Sequence, residues 1–356
     1  MKVRIGGVEI GGGAPVSIQS MTDTDTRDAS ATTAGIRALS AAGCEIVRVA
    51  VPDEAAAAAL TEILSESPLP VVADIHFDHT LALSAIAAGV HGVRINPGNI
   101  GGRGNVRAVA EAAGEAGIPI RVGANSGSLP KGLLEKCSAE VALESDAMAL
   151  ALVEAASAEV ELLDEFGFRD VKVSLKSSDA VVTVKANRVF SERFPNPLHL
   201  GVTEAGLPER GVVKSAVGIG SLLVDGIGDT IRVSLTADPV EEIAAAKLIL
   251  ESVGARVPRL EIISCPTCGR KEVDVVGLAE RMERALRAAD ASGDLKSARI
   301  AVMGCPVNGP GEAKAADYGV AGTSGGKVVF FEKGRSLGVF TESEAMDRLL
   351  AALGRD

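Results

Sequence analysis

The 356-residue sequence predicts an α/β protein, with a (β/α)8 TIM barrel over residues 1–255 and a small α+β domain that carries three cysteines over residues 256–356. Two observations predict this organisation. Eight short apolar stretches recur along the first part, each followed by an Ala-rich amphipathic stretch, which is typical of a barrel. Three of the five cysteines lie in the last hundred residues, in loops typical of a metal-binding domain.

The barrel strands are predicted from apolar runs that alternate with helical patterns. Helical periodicity marks stretches such as Glu54–Ser65, Thr80–Ala88, Asn105–Ala116 and Ala147–Glu165, and Val240–Ser252 is expected to be the closing barrel helix. Eight strand–helix units favour a barrel over a doubly wound open sheet, in which fewer strands are expected. The predicted strands are Val16–Met21, Glu45–Val51, Pro70–Ile75, Gly92–Asn96, Pro119–Asn125, Asp170–Lys176, Leu198–Glu204 and Asp229–Leu235. Gly11–Gly13 is expected to close an N-terminal hairpin.

Side-chain alternation within the strands indicates what fills the barrel. In the second strand Val47, Val49 and Val51 share one face, whereas Arg48 and Ala50 share the other. The fifth, sixth and eighth strands alternate in the same way. Because the aliphatic face suits packing under helices, the charged face is predicted to point into the barrel, where an isolated charge is very costly.

Five cations of this acidic protein are therefore predicted to share one enclosed space: Arg48, Arg94, Arg121, Lys176 and Arg232. Asp74 and Glu204 are the few acidic residues expected near them. One interpretation is that some of the cations form ion pairs at the barrel floor. The other is that together they bind a polyanionic small molecule at the C-terminal mouth, where barrel enzymes place their sites, because arginine donates parallel hydrogen bonds to diphosphate oxygens.

Composition excludes several functional classes. A net charge of −11 and 3% aromatic residues argue against nucleic-acid binding. No apolar run is long enough to span a membrane, and residues 1–7 lack the apolar core of a signal peptide. The chain is expected to be cytoplasmic, where an odd number of cysteines fits metal ligation better than a disulfide framework.

The last hundred residues are predicted to fold separately, after a linker at Gly254–Pro258. The expected elements are a strand at Leu260–Ser264, a helix at Val275–Ala289, a strand at Ala298–Met303, a hairpin near Tyr318–Phe331 and a final helix at Ser343–Leu353. Both cysteine loops directly follow predicted strands, so they can converge on one centre.

The spacing of Cys265, Cys268 and Cys305 leaves three kinds of site open. A structural zinc site usually needs a second cysteine pair, which is missing. A thioredoxin-like dithiol uses the Cys265–Cys268 pair and leaves Cys305 unexplained. An iron–sulfur cluster on three cysteines leaves one iron for another ligand, and Glu312, in a Gly-Pro-Gly turn after Cys305, is well placed to be that ligand.

Nine motifs resemble those of the bacterial 4-hydroxy-3-methylbut-2-enyl diphosphate synthases of the non-mevalonate isoprenoid route. The similarity covers nearly the whole chain, and the last two motifs are highly specific together. The motifs are Gln19–Thr22, Val47–Ala50, Ala73–Phe77, Val93–Asn99, Gly123–Leu129, Ser174–Lys176, His199–Gly206, Ser264–Arg270 and Met303–Glu312.

The resemblance implies a [4Fe-4S] cluster on Cys265, Cys268, Cys305 and Glu312, and reductive ring opening of 2-C-methyl-D-erythritol 2,4-cyclodiphosphate. It implies that the five cations bind the substrate, with Asn125, Thr203 and Ser234 as polar partners. It also implies that Asp74 and Glu204 are the acid–base residues. Members of this family are homodimers in which one subunit's barrel meets the other's cluster domain, and the electron donor is expected to be flavodoxin or ferredoxin.

Two other functions are open at this point. A pterin-binding barrel of the dihydropteroate synthase kind could use Asp74, Asn96 and Lys176, but it leaves the cysteine domain unexplained. An iron–sulfur carrier or redox sensor explains the cysteines but not five cations inside a barrel.

Overall fold

The computed structural model describes residues 1–290, 294–306 and 315–354. The chain divides into two compact units, Met1–Arg256 and Val257–Asp356. No helix among the described residues combines the length and the apolar character needed to cross a membrane.

The first unit begins with a hairpin formed by β1 (Lys2–Ile5) and β2 (Val8–Gly11). Its turn lies at Gly6 and Gly7, because Ile5 pairs with Val8 and Gly6 adopts a φ of 54° that favours glycine. The prediction that Gly11–Gly13 closes the hairpin was therefore wrong. Hairpin side chains pack with Ile46 and Val72 near the amino ends of two barrel strands, so the hairpin lies away from their carboxyl ends.

Eight parallel strands follow and form a barrel, which confirms the predicted fold class. Around the sheet their order is β8-β7-β6-β5-β4-β3-β10-β9, and a parallel bridge between Val173 and Leu198 joins its two ends. The strands are β3 (Ser17–Met21), β4 (Ile46–Ala50), β5 (Val71–Asp74), β6 (Gly92–Arg94), β7 (Ile120–Asn125), β8 (Val171–Lys176), β9 (His199–Leu200) and β10 (Thr230–Ile231). The doubly wound alternative was wrong.

Helices surround this sheet, and several begin at an aspartate that the sequence supplies. The side chains of Asp28, Asp53, Asp78, Asp179 and Asp238 each accept a backbone N–H of the first helical turn. The helices are α1 (Ala29–Ala42), α2 (Glu54–Glu66), α3 (His79–Ala88), α4 (Arg103–Ala116), α5 (Leu133–Ser138), α6 (Glu144–Glu165), α7 (Ala180–Arg193), α8 (Pro208–Val224) and α9 (Pro239–Ser252).

The aliphatic face of each barrel strand lies under these helices. Val49 and Val122 are fully buried in one apolar cluster with helix residues such as Leu60 and Val109. At about 25 cal/mol per Å2 of apolar surface removed from water, this cluster is the main source of the unit's stability. The opposite strand face, which carries the charged residues, is left to the barrel interior.

The seventh and eighth strands are shorter than predicted. β9 ends at Leu200 because the next residues leave the extended conformation, and Glu204 has a φ of 51°. A Cβ on Gly201 would lie 2.5 Å from the carbonyl oxygen of Arg232, so the backbones approach closely here. The residues after both strands therefore form loops at the carboxyl end of the barrel.

The second unit is a five-stranded mixed sheet with two helices among its described residues. β11, β12 and β13 pair in parallel, and β13, β14 and β15 pair antiparallel. The elements are β11 (Leu260–Ser264), α10 (Val275–Ala289), β12 (Ala298–Met303), β13 (Tyr318–Thr323), β14 (Lys327–Glu332), β15 (Arg335–Phe340) and α11 (Glu342–Leu353). The sequence did not predict β15, because this edge strand is largely exposed and lacks a buried apolar face.

Candidate active site and cysteine loops

A cavity of about 800 Å3 opens at the carboxyl end of the barrel strands. Its wall is formed by the loops that follow β5 to β9 and by nearby parts of α6 and α7. Serine, asparagine and charged side chains dominate the lining, so the cavity suits a small polar ligand. The residues that line it include His76, Phe77, Arg94, Asn96, Asn125, Ser126, Ser128, Ser177, Thr203 and Glu204.

The predicted site residues occupy two depths. Arg94, Asn125, Thr203 and Glu204 line the cavity itself. Arg94 is also buried, as are four residues inside the barrel, and each of the five has less than a tenth of its surface exposed: Arg48, Asp74, Arg94, Arg121 and Lys176. Arg232 and Ser234 are half-buried in the segment that follows β10.

Asp74 balances two of the cations. Its Oδ1 lies 3.0 Å from Nη1 of Arg94, and its Oδ2 lies 3.5 Å from Nε of Arg48. Burial alone would raise the pKa of this carboxyl, but Arg48, a hydrogen bond with His76 and the charge of Arg94 outweigh burial and hold the pKa well below its usual range. Asp74 is therefore a permanent carboxylate at neutral pH. It can accept a proton or orient arginines, but it carries no proton to donate.

Arg121 is a buried cation whose charge is less well balanced than the charges of Arg48 and Arg94. Its Nε and Nη1 are buried and find no hydrogen-bond partner among the residues that the structure describes. Burial lowers its pKa well below the ordinary value, and the charges of Arg48 and Arg94 lower it further. The pKa of Lys176 is also well below normal, first from burial and then from Arg121 and Arg232. An anion would relieve both the lost solvation and the repulsion.

Glu242 is a buried acidic residue that sequence reasoning missed. It lies in the first turn of α9 with 4% of its surface exposed, and its Oε2 is 3.5 Å from Nε of Arg232. An acidic residue after a helix start is ordinarily explained by the helix dipole. No sequence signal indicated that this side chain reaches Ser20 and Arg232.

Glu159, on α6, is a second carboxyl with a buried oxygen that the sequence did not reveal. Burial raises its pKa to about 7, although a backbone hydrogen bond from Gly123 and the charge of Arg94 act in the opposite direction. Its Oε2 is buried and has no hydrogen-bond partner among the described residues.

We expect Glu159 to make the stability of the protein decrease as pH rises. A folded-state pKa raised from 4.5 to about 7 stabilises the fold fully below pH 4.5, and this contribution is lost as pH rises through 7. Above pH 8, Glu159→Gln should therefore be more stable than the parent by up to about 3 kcal/mol. Urea unfolding from pH 4 to 9 measures this difference. Glu161→Gln, an exposed position on the same helix, is the matched control, and equal pH profiles for the parent and Glu159→Gln would contradict the expectation.

The cysteine loops of the second unit follow two neighbouring parallel strands. Cys265 comes directly after β11, and Cys305 follows β12 by two residues. The backbone N–H of Gly304 donates to Sγ of Cys265 at 3.1 Å, and the N–H of Glu272 donates to the carbonyl oxygen of Gly304 at 2.8 Å. These bonds fix the two loops against each other.

All three cysteines of these loops are free thiols, with Cys305 buried and Cys268 exposed. The backbone N–H of Arg270 lowers the pKa of Cys268, which favours the thiolate that metals bind. Glu312, the predicted fourth ligand, lies outside the described residues. Within the described residues, no three His, Cys, Asp or Glu side chains are arranged around a single metal ion.

Cys44 and Cys137 lie in the barrel unit, and both are buried. Burial raises the pKa of Cys44 to about 11, and its thiol donates to the carbonyl oxygen of Ile46 at 3.1 Å. The sequence interpretation of Cys44 as a small buried apolar residue agrees with this environment.

Comparison with solved structures shows the barrel fold alone. Dihydropteroate synthase from Vibrio fischeri ES114 has a TM-score of 0.51 and 11% identity, covering 71% of this chain and 98% of that chain. The Yersinia pestis dihydropteroate synthase has a TM-score of 0.50 and 11% identity, covering 71% of this chain and 99% of that chain.

Comparison of sequences covers both units. The chain is 52% identical, over 98% of its length and 96% of the relative, to 4-hydroxy-3-methylbut-2-en-1-yl diphosphate synthase (flavodoxin) of Thermodesulfovibrio yellowstonii. The protein of the same name from Geobacter sulfurreducens is 49% identical over the same shares of both chains. The family model of the GcpE TIM-barrel domain matches residues 1–247, and that of the GcpE protein C-terminal domain matches residues 261–355. The chain therefore belongs to the GcpE family.

Proposed function

We propose that this protein is an oxidoreductase, a 4-hydroxy-3-methylbut-2-enyl diphosphate synthase. It opens the ring of 2-C-methyl-D-erythritol 2,4-cyclodiphosphate reductively and forms the linear allylic diphosphate. The reaction consumes two electrons and two protons and releases one water. The observation that carries the proposal is the union, in one chain, of a barrel interior rich in buried cations with two cysteine loops at adjacent strand ends. The names of the similar proteins support the same reaction.

The cations bind the diphosphate part of the substrate. Among the five cations, a bound anion should most stabilise the charged forms of Arg121 and Lys176, because burial and like charges lower the pKa of each. Arg48, Arg94 and Arg232 complete the cationic surface, and Asn125, Thr203 and Ser234 supply neutral hydrogen bonds. Desolvated donors that lack partners in the free protein favour a ligand that brings oxygen acceptors.

The cysteine loops fit an iron–sulfur cluster. Cys265, Cys268 and Cys305 would hold three irons of a [4Fe-4S] cluster and Glu312 the fourth. The N–H of Gly304 that donates to Sγ of Cys265 suits a thiolate ligand. When bound, the cluster supplies electrons one at a time.

Glu204 is the proposed proton donor. Asp74 is the other acidic residue of the proposed site and is buried in the barrel. Glu204 is exposed on the cavity wall and is held at a φ of 51°, a conformation that non-glycine residues adopt at a cost. From this wall its carboxyl can deliver a proton to the oxygen that leaves as water. The low pKa of Asp74 keeps it ionised and makes it a weak proton acceptor, so its main role is to orient Arg48 and Arg94.

The proposed function also implies an electron donor and a second subunit as partners. A flavodoxin, as in the printed names of the relatives, or a ferredoxin supplies the electrons. The protein acts as a homodimer in which the barrel of one subunit meets the cysteine loops of the other.

Removing the charge of Arg121 should weaken substrate use without weakening the fold. Arg121→Met keeps most of the side-chain volume and removes a buried cation that has unpaired donors. We expect kcat/KM to fall about ten- to a hundredfold, and the thermal unfolding midpoint to stay equal or rise. Steady-state kinetics and calorimetry measure both effects.

Arg37→Ala is the control for this change, because Arg37 forms an exposed pair with Glu66. It should leave kcat/KM unchanged. Parental kinetics in Arg121→Met, together with a lower unfolding midpoint, would make Arg121 a structural residue and contradict its role in binding the diphosphate.

Ligand binding separates the proposed function from the pterin-binding alternative. Titration calorimetry with the cyclodiphosphate and with a dihydropterin diphosphate compares the two ligand classes on one protein. The cyclodiphosphate should bind, and its affinity should fall in Arg121→Met. Saturable binding of the pterin alone would reject the proposed substrate.

A further inference from the structure

Glu242 connects two parts of the barrel mouth that the sequence separates widely. Its Oε2 accepts a hydrogen bond from Oγ of Ser20 at 3.0 Å, near the carboxyl end of β3. Its Oε1 accepts the backbone N–H of Leu235 at 3.0 Å, in the segment after β10. Both oxygens of this buried carboxyl are therefore committed to fixed donors.

The same carboxyl orients Arg232. Nε of Arg232 lies 3.5 Å from Oε2 of Glu242, which is an ion-pair distance without a well-formed hydrogen bond. Among the described residues, this guanidinium also makes a long contact, 3.9 Å from Nη1 to Sδ of Met21. A thioether is a weak acceptor, so Glu242 is the stronger of the two restraints on the guanidinium.

Asp74 and Glu242 pair with three of the five cations. Asp74 pairs with Arg48 and Arg94, whereas Glu242 pairs with Arg232. A buried ion pair often adds little net stability, because desolvation offsets the attraction. Stability alone therefore gives a weak reason for placing Glu242 at this point.

Geometry gives a stronger reason. Residues 232–235 form the segment after β10, and Glu242 contacts the side chain of Arg232 at one end and the backbone of Leu235 at the other. Ser234 lies between these two contacts. A single carboxyl thus restrains the segment that presents both Arg232 and Ser234 at the carboxyl end of the barrel.

We propose that Glu242 is a positioning residue, which holds Arg232 in the arrangement that receives the diphosphate of the substrate. This inference rests on the proposed function. Glu242 acts through Arg232 and does not touch the substrate, so its effect should depend on the presence of Arg232.

The first test is Glu242→Gln, which keeps an amide oxygen as acceptor and removes the negative charge. We expect kcat/KM to fall about tenfold, mainly through a higher KM. If Glu242 were only a negative charge near the anion site, its removal would tighten anion binding and lower KM. A lower KM, or a kcat/KM within twofold of the parent, would overturn the inference.

Asp229→Asn is the matched control. Oδ2 of Asp229 accepts the backbone N–H of Leu198 at 2.7 Å, just before β10. From the amino end of β10, its carboxylate accepts a backbone N–H from the residue before β9, the same kind of bond that Glu242 makes with Leu235. Kinetics within twofold of the parent are expected for Asp229→Asn. A loss equal to that of Glu242→Gln would mean that any buried carboxyl bound to these strands has the same effect, and would overturn the positioning role.

A double-mutant cycle distinguishes a positioning role from a merely structural one. Arg232→Ala, Glu242→Gln and the double variant are compared in kcat/KM, with Glu242→Asp replacing the glutamine variant if the latter does not fold. If Glu242 acts through Arg232, the double variant should match Arg232→Ala within twofold. A further tenfold loss in the double variant would show independent effects and reject the inference.

Failure of the proposed function would be visible separately. If the parent protein does not turn over the cyclodiphosphate, the proposed reaction fails. The same cycle is then measured as the dissociation constant for inorganic diphosphate, with the same expected non-additivity. Additive dissociation constants would overturn the inference about Glu242 independently of the reaction.

Discussion

Cys305→Ser should abolish both iron binding and turnover. Cys305 is buried in the loop after β12. It follows Gly304, whose N–H donates to Sγ of Cys265. A serine hydroxyl is a poor ligand for iron, and a buried position offers few replacements. We expect anaerobically purified parent protein to be brown with about four irons per chain, and the variant to be nearly colourless. Iron analysis, the visible absorption spectrum and turnover measure the change.

Cys137→Ser is the control for this loss. Cys137 is also a buried free cysteine, but it lies on α5 of the barrel unit. It should keep the iron content and the activity of the parent. Active protein that contains stoichiometric zinc instead of iron would reject the cluster proposal.

Glu204→Gln should slow turnover by about 10²- to 10⁴-fold, the usual contribution of a positioned proton donor. Glutamine has nearly the same shape but no transferable acidic proton. Because Glu204 lies on the wall of the barrel cavity, its replacement should leave the iron content and the spectrum unchanged. The fall should appear in kcat more than in KM, which steady-state kinetics distinguish.

Glu209→Gln controls for the loss of one carboxylate near this loop, since Glu209 is an exposed residue in the first turn of α8. It should retain parental activity. Turnover of Glu204→Gln within threefold of the parent would assign the proton transfer to another group.

The same substitution tests the shared site of the proposed homodimer. Co-expression of Glu204→Gln with Glu312→Gln, on distinct tags, gives dimers in which one barrel and one set of cysteine loops are both intact. Recovered activity in purified heterodimers supports a site between subunits. Heterodimers as inactive as either homodimer would favour closure within one chain.

Barrel strands and inward charges could be predicted because both depend on local pattern. Period-two alternation in the fifth strand places Ile120 and Val122 under helices and Arg121 inside, whatever the rest of the chain does. Positive charges on an inward face then indicate a bound ligand, because burying unpaired cations costs too much free energy to persist without a function.

Other features could not be predicted because they depend on contacts between distant residues. The early end of β9 follows from the close approach of Gly201 to Arg232 and from the conformation of Glu204. In the sequence Glu242 resembles any acidic residue at a helix start. Its role becomes evident only from its tertiary contact with Ser20. The high pKa of Glu159 likewise depends on tertiary burial, which helix periodicity does not report.

Turnover of the cyclodiphosphate by anaerobically purified protein tests the central claim most directly. The protein is supplied with a chemical reductant and a mediator, and the product and the electrons consumed are quantified together. We predict the linear 4-hydroxy-3-methylbut-2-enyl diphosphate at one product per two electrons, with no product from Cys305→Ser. Iron-loaded protein that binds the cyclodiphosphate but returns it unchanged under these conditions, or that forms product equally well as Cys305→Ser, would contradict the account.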